Sequence, residues 1–346
     1  MIKLPFQKQK PMQKVLTALI PVLLSAVYLF GLRVLAVLLI CLAAAYAVEW
    51  FMASRRNAGV TQACFVTGTL YALSLPPTIP YWIAAAGMVV GILFGKEAFG
   101  GFGKNVFNPA IVGRAFVWIS FPVEMTSRVV PAFQDFPGGF MRWSMEKSAS
   151  ALSSPEDLDA LTSATPMSAA KTYGYLTGLP DLFTGLIGGV FKTEGTDMVL
   201  GAGSMGEASA LAIMLGAGYL IYSRAARIRL ILSPLLGALL MAIFMRYGLG
   251  LAYVPNPLFV LFSGGLLFAA VFMVTEPVTA PGTPAAQWIY GLFIGIIIVL
   301  LRYQGIFTGA VAFGILLGNM LAPSLDLWFK RYTAWKKKRL SRSSAA

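Results

Sequence analysis

Apolar residues run along this chain in ten stretches, 15–32, 34–52, 63–75, 82–95, 109–121, 208–222, 231–245, 258–275, 288–301 and 307–321. A helix needs about 20 apolar residues to cross a bilayer, and fewer if it enters only part way. The pattern therefore predicts an all-α integral membrane protein of about ten transmembrane helices, several of them short. The third stretch stops at Pro76-Pro77, with Pro80 close behind, so it should end within the membrane thickness. The eighth runs into TEPVTAPGTP, a second Pro/Gly-rich break. The two groups of five are separated by a long polar connection.

The halves resemble each other faintly. Thr67-Gly68-Thr69-Leu70 matches Ser263-Gly264-Gly265-Leu266, and FNPAIVGRAF at 107–116 aligns with FTGAVAFGIL at 307–316. Five is an odd number, so a repeat of this kind must be inverted across the membrane. Inverted repeats with broken helices place a ligand or ion pathway near the midplane between the halves. The expected organisation is a first five-helix half over 1–121, a loop over 122–207, a second half over 208–329 and a basic tail over 330–346.

Composition agrees with the pattern. The chain has 346 residues, of which 58% are hydrophobic and only 12% charged, and its mean hydropathy is +0.74. A soluble protein carries roughly 25% charge. The net charge of +13 would suit nucleic acid, but its distribution suits a membrane. Of 27 basic residues, 18 fall in the terminal segments and the short turns of one side, including Lys96 and Lys104 and seven from Lys330 to Arg342. The 122–207 connection holds five basic and ten acidic residues, a net of −5. Positive segments stay cytoplasmic. Both termini are thus expected inside, with the connection outside and the KRYTAWKKKRLSR tail against anionic lipid.

Histidine is absent, which excludes His-based acid–base chemistry, His metal sites and His haem ligation. Cys41 and Cys64 lie in apolar runs and cannot hold an iron–sulfur cluster, which needs four ligands. They read as small buried residues.

Residues 95–116, GKEAFGGFGKNVFNPAIVGRAF, invite a phosphate-loop reading. Ala98 stands where the first glycine is needed, and Asn105 follows Lys104, so the Walker pattern fails. The better reading is a glycine-rich turn in which Asn105 and Asn108 satisfy broken backbone. Arg114 sits one turn into an apolar segment, where a charge needs a partner. Glu97 and Glu276 are the acids at the cytoplasmic ends of membrane segments. Two readings stay open: helix-end ion pairs such as Arg114 with Glu97, or a way in for a cation or proton. In the connection, DALTSAT at 159–165 puts a hydroxyl cluster after an acid, an ordinary helix cap or hydroxyl turn. GAGSMGEASA at 201–210 leads into the sixth segment, with Glu207 placed to face a helix N-terminus.

Several strings together resemble a known family. They are LSLPPTIPYW at 73–82, FGGFGKNVFNPAIVGRAFVWISFPVEMTS at 99–127, DALTSATPM, GSMGEASALAI at 203–213, TEPVTAPGTP with WIYGLFIG, and VAFGILLGNMLAPSLD at 311–326. In this order, from about residue 60 to 326, they look like the RnfD/NqrB family. Its two branches belong to the Rnf complex and to the sodium-pumping NADH:quinone reductase. The short N-terminus, the proline after Thr165 and FPVEMTS lean towards RnfD, while LPPTIPYW and GKN-F-NPA-GRAF lean towards NqrB; the balance favours RnfD.

The resemblance implies a flavin-carrying subunit of a redox-driven, ion-translocating oxidoreductase in the bacterial inner membrane, moving Na⁺ or H⁺ and not catalytic alone. It implies FMN joined through its phosphate to the last residue of Thr162-Ser163-Ala164-Thr165, on the outer side. Ser163 stands where the family usually has glycine. It further implies a non-covalent riboflavin, partner subunits including another with covalent FMN, and a flavin transferase for maturation. No nucleic-acid partner is expected. An NqrB protein of the reductase, a flavin-free scaffold, and a non-redox secondary transporter or channel are the alternatives.

Overall fold

The structure, a computed structural model, describes residues 7–126, 129–143, 163–193, 196–305 and 309–343. The first half holds α1 (Lys10–Phe30), α2 (Arg33–Arg55), α3 (Ala63–Leu73), α4 (Tyr81–Gly95) and α5 (Pro109–Ser120), followed by the short α6 (Pro122–Thr126). The connection holds α7 (Pro166–Tyr173) and α8 (Leu179–Thr184), with strands β1 (Ser163–Ala164), β2 (Val190–Thr193) and β3 (Thr196–Leu200). The second half holds α9 (Ala210–Tyr222), α10 (Ile228–Ile243), α11 (Pro257–Phe262), α12 (Leu266–Phe272), α13 (Pro284–Tyr303) and α14 (Ala310–Ser343).

Among the described residues, six helices are long and apolar enough to cross a membrane: Lys10–Phe30, Arg33–Arg55, Tyr81–Phe99, Ile228–Gly248, Pro284–Tyr303 and Ala310–Lys336. Shorter apolar helices are Ala63–Leu73, Pro109–Ser120 and Ala210–Tyr222. The chain is a helical membrane protein, and helix α3 ends before the Pro76-Pro77 break as its sequence predicts. The eighth apolar stretch departs from expectation. It is cut into α11 and α12 at Ser263-Gly264-Gly265, where Gly264 takes φ +63°, a backbone state that L side chains seldom adopt. Its sequence counterpart, Thr67-Gly68-Thr69, lies inside continuous α3. Helices α5 and α14 begin at Pro109 and Ala310.

Close backbone approach fastens each half. A Cβ on Gly295 of α13 would fall 2.0 Å from the Pro234 carbonyl oxygen of α10. Across α4 and α5, a Cβ on Gly113 would fall 2.6 Å from the Gly87 oxygen. Small residues at such contacts replace the hydrophobic drive that is missing between helices in lipid. Helix α14 continues unbroken past Lys330 into the basic tail.

The described part of the connection is folded onto the helix ends. Strand β3 pairs in parallel with β1 and antiparallel with β2. Lys171 Nζ donates to the carbonyls of Arg302 (2.7 Å) and Gly305 (2.5 Å), tying α7 to the end of α13. Burial holds its amine below the usual lysine range. The connection thus defines one face of the molecule, and the turn at 96–108 lies on the other.

Candidate functional site

Thr165 is the N-cap of α7, with extended backbone (φ −74°, ψ 159°). Pro166 fixes the first helical φ, and Thr165 Oγ1 accepts the Ser168 N–H at 3.3 Å. The Thr165 and Ser168 hydroxyl oxygens stand 3.0 Å apart. Strand β1 brings Thr165 to its place: the Gly201 N–H donates to the Ala164 carbonyl at 2.9 Å, which sets it beside the glycine-rich segment leading to Glu207. The capping role read from DALTSAT therefore falls on Thr165. Ser163 and Ala164 form the strand before it, while Asp159 and Thr162 lie outside the described residues.

Thr165 lines a cavity of about 80 Å³ together with Arg114, Glu207, Arg302 and the glycines of the Ser263-Gly264-Gly265 break. Arg114 Nη1 donates to Glu207 Oε1 at 2.5 Å. This corrects the pairing of Arg114 with Glu97, since α5 carries Arg114 towards the connection face, away from the 96–108 turn. Glu97 pairs with Arg56 instead. Glu207 faces the Arg114 guanidinium, a stronger partner than the helix end expected for it.

Arg302 is the third charge of the cavity, and sequence reasoning missed it. It is 1% exposed and its Nη1 donates to the Val260 carbonyl of α11 at 3.1 Å. Its Nε is buried without a hydrogen-bond partner among the described residues. The only signal was a lone arginine inside IVLLRY. With Arg114 and Glu207 neutralising each other, the side chains lining the cavity carry a net +1.

A second polar cluster occupies the opposite face. Lys96 Nζ meets Glu49 Oε2 at 2.5 Å and Thr61 Oγ1 at 2.9 Å. Thr61 donates its N–H (2.8 Å) and hydroxyl (2.5 Å) to Glu49 Oε1. Glu276 accepts from Thr279 Oγ1 (2.7 Å) and Asn105 Nδ2 (3.3 Å). Asn108 caps α5, accepting the Ala110 N–H at 3.0 Å, and donates to the Met273 carbonyl at 3.2 Å. The two asparagines thus satisfy broken backbone, as their sequence predicts. Lys96, Asn105, Asn108 and Glu276 line a cavity of about 30 Å³, large enough for about one water-sized occupant. Of the expected ion-pathway acids, Glu276 lines this cavity and Glu97 does not. Glu49 went unnoticed because it reads as one acid in a run of alanines and valines. Cys41 and Cys64 are both buried free thiols.

Sequence comparison decides the relationship. A profile of the NQR2, RnfD, RnfE family matches residues 2–334. The chain belongs to this family. It is 32% identical over 337 residues to the D subunit of the ion-translocating oxidoreductase complex of Shewanella frigidimarina, covering 92% of this chain and 91% of that one. It is 35% identical over 324 residues to the D subunit of the proton-translocating ferredoxin:NAD(+) oxidoreductase complex of Clostridium ljungdahlii, covering 92% and 88%. It is 34% identical over 287 residues to the B subunit of the Na(+)-translocating NADH-quinone reductase of Pseudomonas aeruginosa, covering 80% of this chain and 62% of that longer one.

Proposed function

We propose that this chain is the flavin-carrying membrane subunit of an Rnf-type ion-translocating oxidoreductase, with FMN joined through its phosphate to Thr165. Its near-complete coverage of two RnfD-type relatives, against 62% of the reductase relative, favours the Rnf branch. In this reading the chain spans the bacterial inner membrane about ten times, in two inverted halves. Both termini are cytoplasmic, and Thr165 is on the outer side. Its partners are the other subunits of the complex, one of them a second covalent-FMN protein, with a flavin transferase for maturation.

The observation that carries the reading is the position of Thr165 at a helix N-terminus lining a cationic cavity. The fit to a flavin phosphate rests on three features of the chain. The positive end of α7 favours an anion. The glycines at 264 and 265 keep the wall free of side chains: a Cβ on Gly265 would fall 2.3 Å from Glu207 Oε1. Arg302 adds an orphaned buried donor. When bound, the flavin supplies one- and two-electron redox chemistry. The chain's own residues hold it: Thr165 as tether, Pro166 and Ser168 fixing the cap, and Arg114 neutralising Glu207 so that no bare carboxylate faces the phosphate.

The test is flavin fluorescence on the denatured 37 kDa band after expression with partner subunits and transferase. The wild-type band should fluoresce, and Thr165→Ala should fall to background while the complex still assembles. Loss of the cap costs Thr165→Ala about 1 kcal/mol, so Thr165→Ser, which keeps both cap and hydroxyl, serves as the folding control. A dark wild-type band beside a fluorescing flavinylated standard would turn the reading to a transporter or a flavin-free scaffold.

The 30 Å³ cavity supports a separate assignment, Glu276 as the acid of the Na⁺ or H⁺ pathway. Glu276→Gln should lower ion transport about ten-fold, the scale of a typical coupling free energy between sites, with flavin content unchanged. Equal loss of transport and flavin would sink that assignment.

A further inference from the structure

A buried guanidinium with a single carbonyl acceptor is an expensive arrangement, because removal from water costs several kcal/mol unless opposite charge compensates. Arg302 is in that state. The one hydrogen bond of its guanidinium among the described residues is to the Val260 carbonyl, its Nε is unpartnered, and the carboxylate lining its cavity, Glu207, is engaged by Arg114. The cavity wall beside it is kept bare, since a Cβ on Gly264 would fall 3.1 Å from the second terminal nitrogen of Arg302 and 3.9 Å from the Met167 sulfur. Met167 is the second residue of α7, and Thr165, Met167 and Arg302 line the same cavity. A helix N-terminus and a buried cation without a counter-ion converge on one small space. Both ask for an anion.

We infer that Arg302 is the phosphate-recognition group of this cavity and gives it preference for a phosphorylated flavin over the same flavin without phosphate. The inference rests on the reading of Thr165 as the attachment residue and adds the group that selects and orients what is attached. A guanidinium suits the task because its planar fork of donors matches phosphate oxygens and cannot be deprotonated in a protein. Its position also explains the break in the eighth apolar segment. A continuous helix with a side chain at 264 would fill the space into which Arg302 projects. The seat is therefore built by the chain before any flavin arrives. The competing role is structural, with Arg302 acting only as a staple on the last carbonyls of α11.

The two roles separate in the unmodified protein. Full-length chain, purified with its partner subunits from cells lacking the flavin transferase, is titrated with FMN and with riboflavin, each with and without inorganic phosphate. The expected result is FMN binding that inorganic phosphate displaces, with riboflavin showing no binding that phosphate displaces. Arg302→Gln should weaken the displaceable component at least about ten-fold, and Arg302→Lys should keep part of it. Displacement by phosphate is read on the wild type alone, so a misfolded variant does not rescue the idea. Phosphate that fails to displace FMN, or an Arg302→Gln protein that folds and retains the full component, overturns the inference and leaves the staple. The gel assay stands apart from this result. A dark band with displaceable FMN ends the attachment reading and keeps the seat, while a bright band without it does the reverse.

Discussion

Lys96→Met should destabilise this protein by about 3–5 kcal/mol, the range found when one partner of a buried ion pair is removed. The side chains of Lys96 and Glu49 are each 2% exposed, so neither charge can turn to water when the other is lost. Glu49 would keep the N–H and hydroxyl of Thr61 on Oε1 but lose the cation on Oε2. Methionine matches the lysine stem in length and flexibility, so cavity formation adds little. The contact of Lys96 with the Phe102 ring, 5.7 Å from its centroid, would survive as an apolar one. The double variant Lys96→Met with Glu49→Gln should recover most of the loss, because glutamine still offers Thr61 a carbonyl acceptor without a charge. The measurement is unfolding of the detergent-solubilised protein, followed by helical circular dichroism. A single variant within about 1 kcal/mol of wild type, below the range for a severed buried pair, would mean that water reaches the pair.

This cluster marks the boundary of what sequence could show. Membrane spans were legible because hydropathy has a length scale, and the helices fall where the apolar runs fall. Asn105 and Asn108 were legible because a Gly/Pro-rich break in lipid must find polar groups for its backbone. The capping role was legible in the hydroxyl cluster of DALTSAT, and the structure gives it to Thr165. Pairings were not legible. Arg114 and Glu207 are 93 positions apart and meet only because β1 and the glycine-rich segment fold the connection back over α5. Sequence proximity favoured Glu97, which is nearer in number but at the other end of the helix. Lone charges such as Glu49 and Arg302 carried a signal that was available. A charge within an apolar run is costly, so each one implies a partner or a function, even where the sequence cannot name it.

The division at 263–265 was missed for a different reason. Glycine in a membrane helix is common, since close packing uses it, and Gly68, Gly87 and Gly295 all sit inside continuous helix. The Gly264-Gly265 pair after Ser263 is a local turn signal that those single glycines lack. The surroundings complete it, because Arg302 reaches the carbonyl of Val260 at the end of α11 and stabilises a helix terminus that lipid would not tolerate unsatisfied.

The same cavity gives the second large expected effect. Arg114→Met should cost about 3–5 kcal/mol, because Glu207 would remain buried without the guanidinium that meets its Oε1. Glu207→Gln should cost less, about 1–3 kcal/mol, because an amide oxygen can still accept from Arg114. If the pair is a unit, the double variant should be more stable than the sum of the singles by about 1.5 kcal/mol or more, within the range of contacting residues. Additivity to within about 0.5 kcal/mol would show that the two charges do not depend on each other. Flavin gives an independent readout on the same variants. Arg114→Met exposes a carboxylate to the phosphate that Thr165 would carry and should reduce flavin fluorescence on the denatured band. Glu207→Gln removes a negative charge from the same wall and should leave it intact. Opposite responses from the two ends of one ion pair are what an anion site requires. Equal loss from both would mean that the pair only holds α5 against the connection.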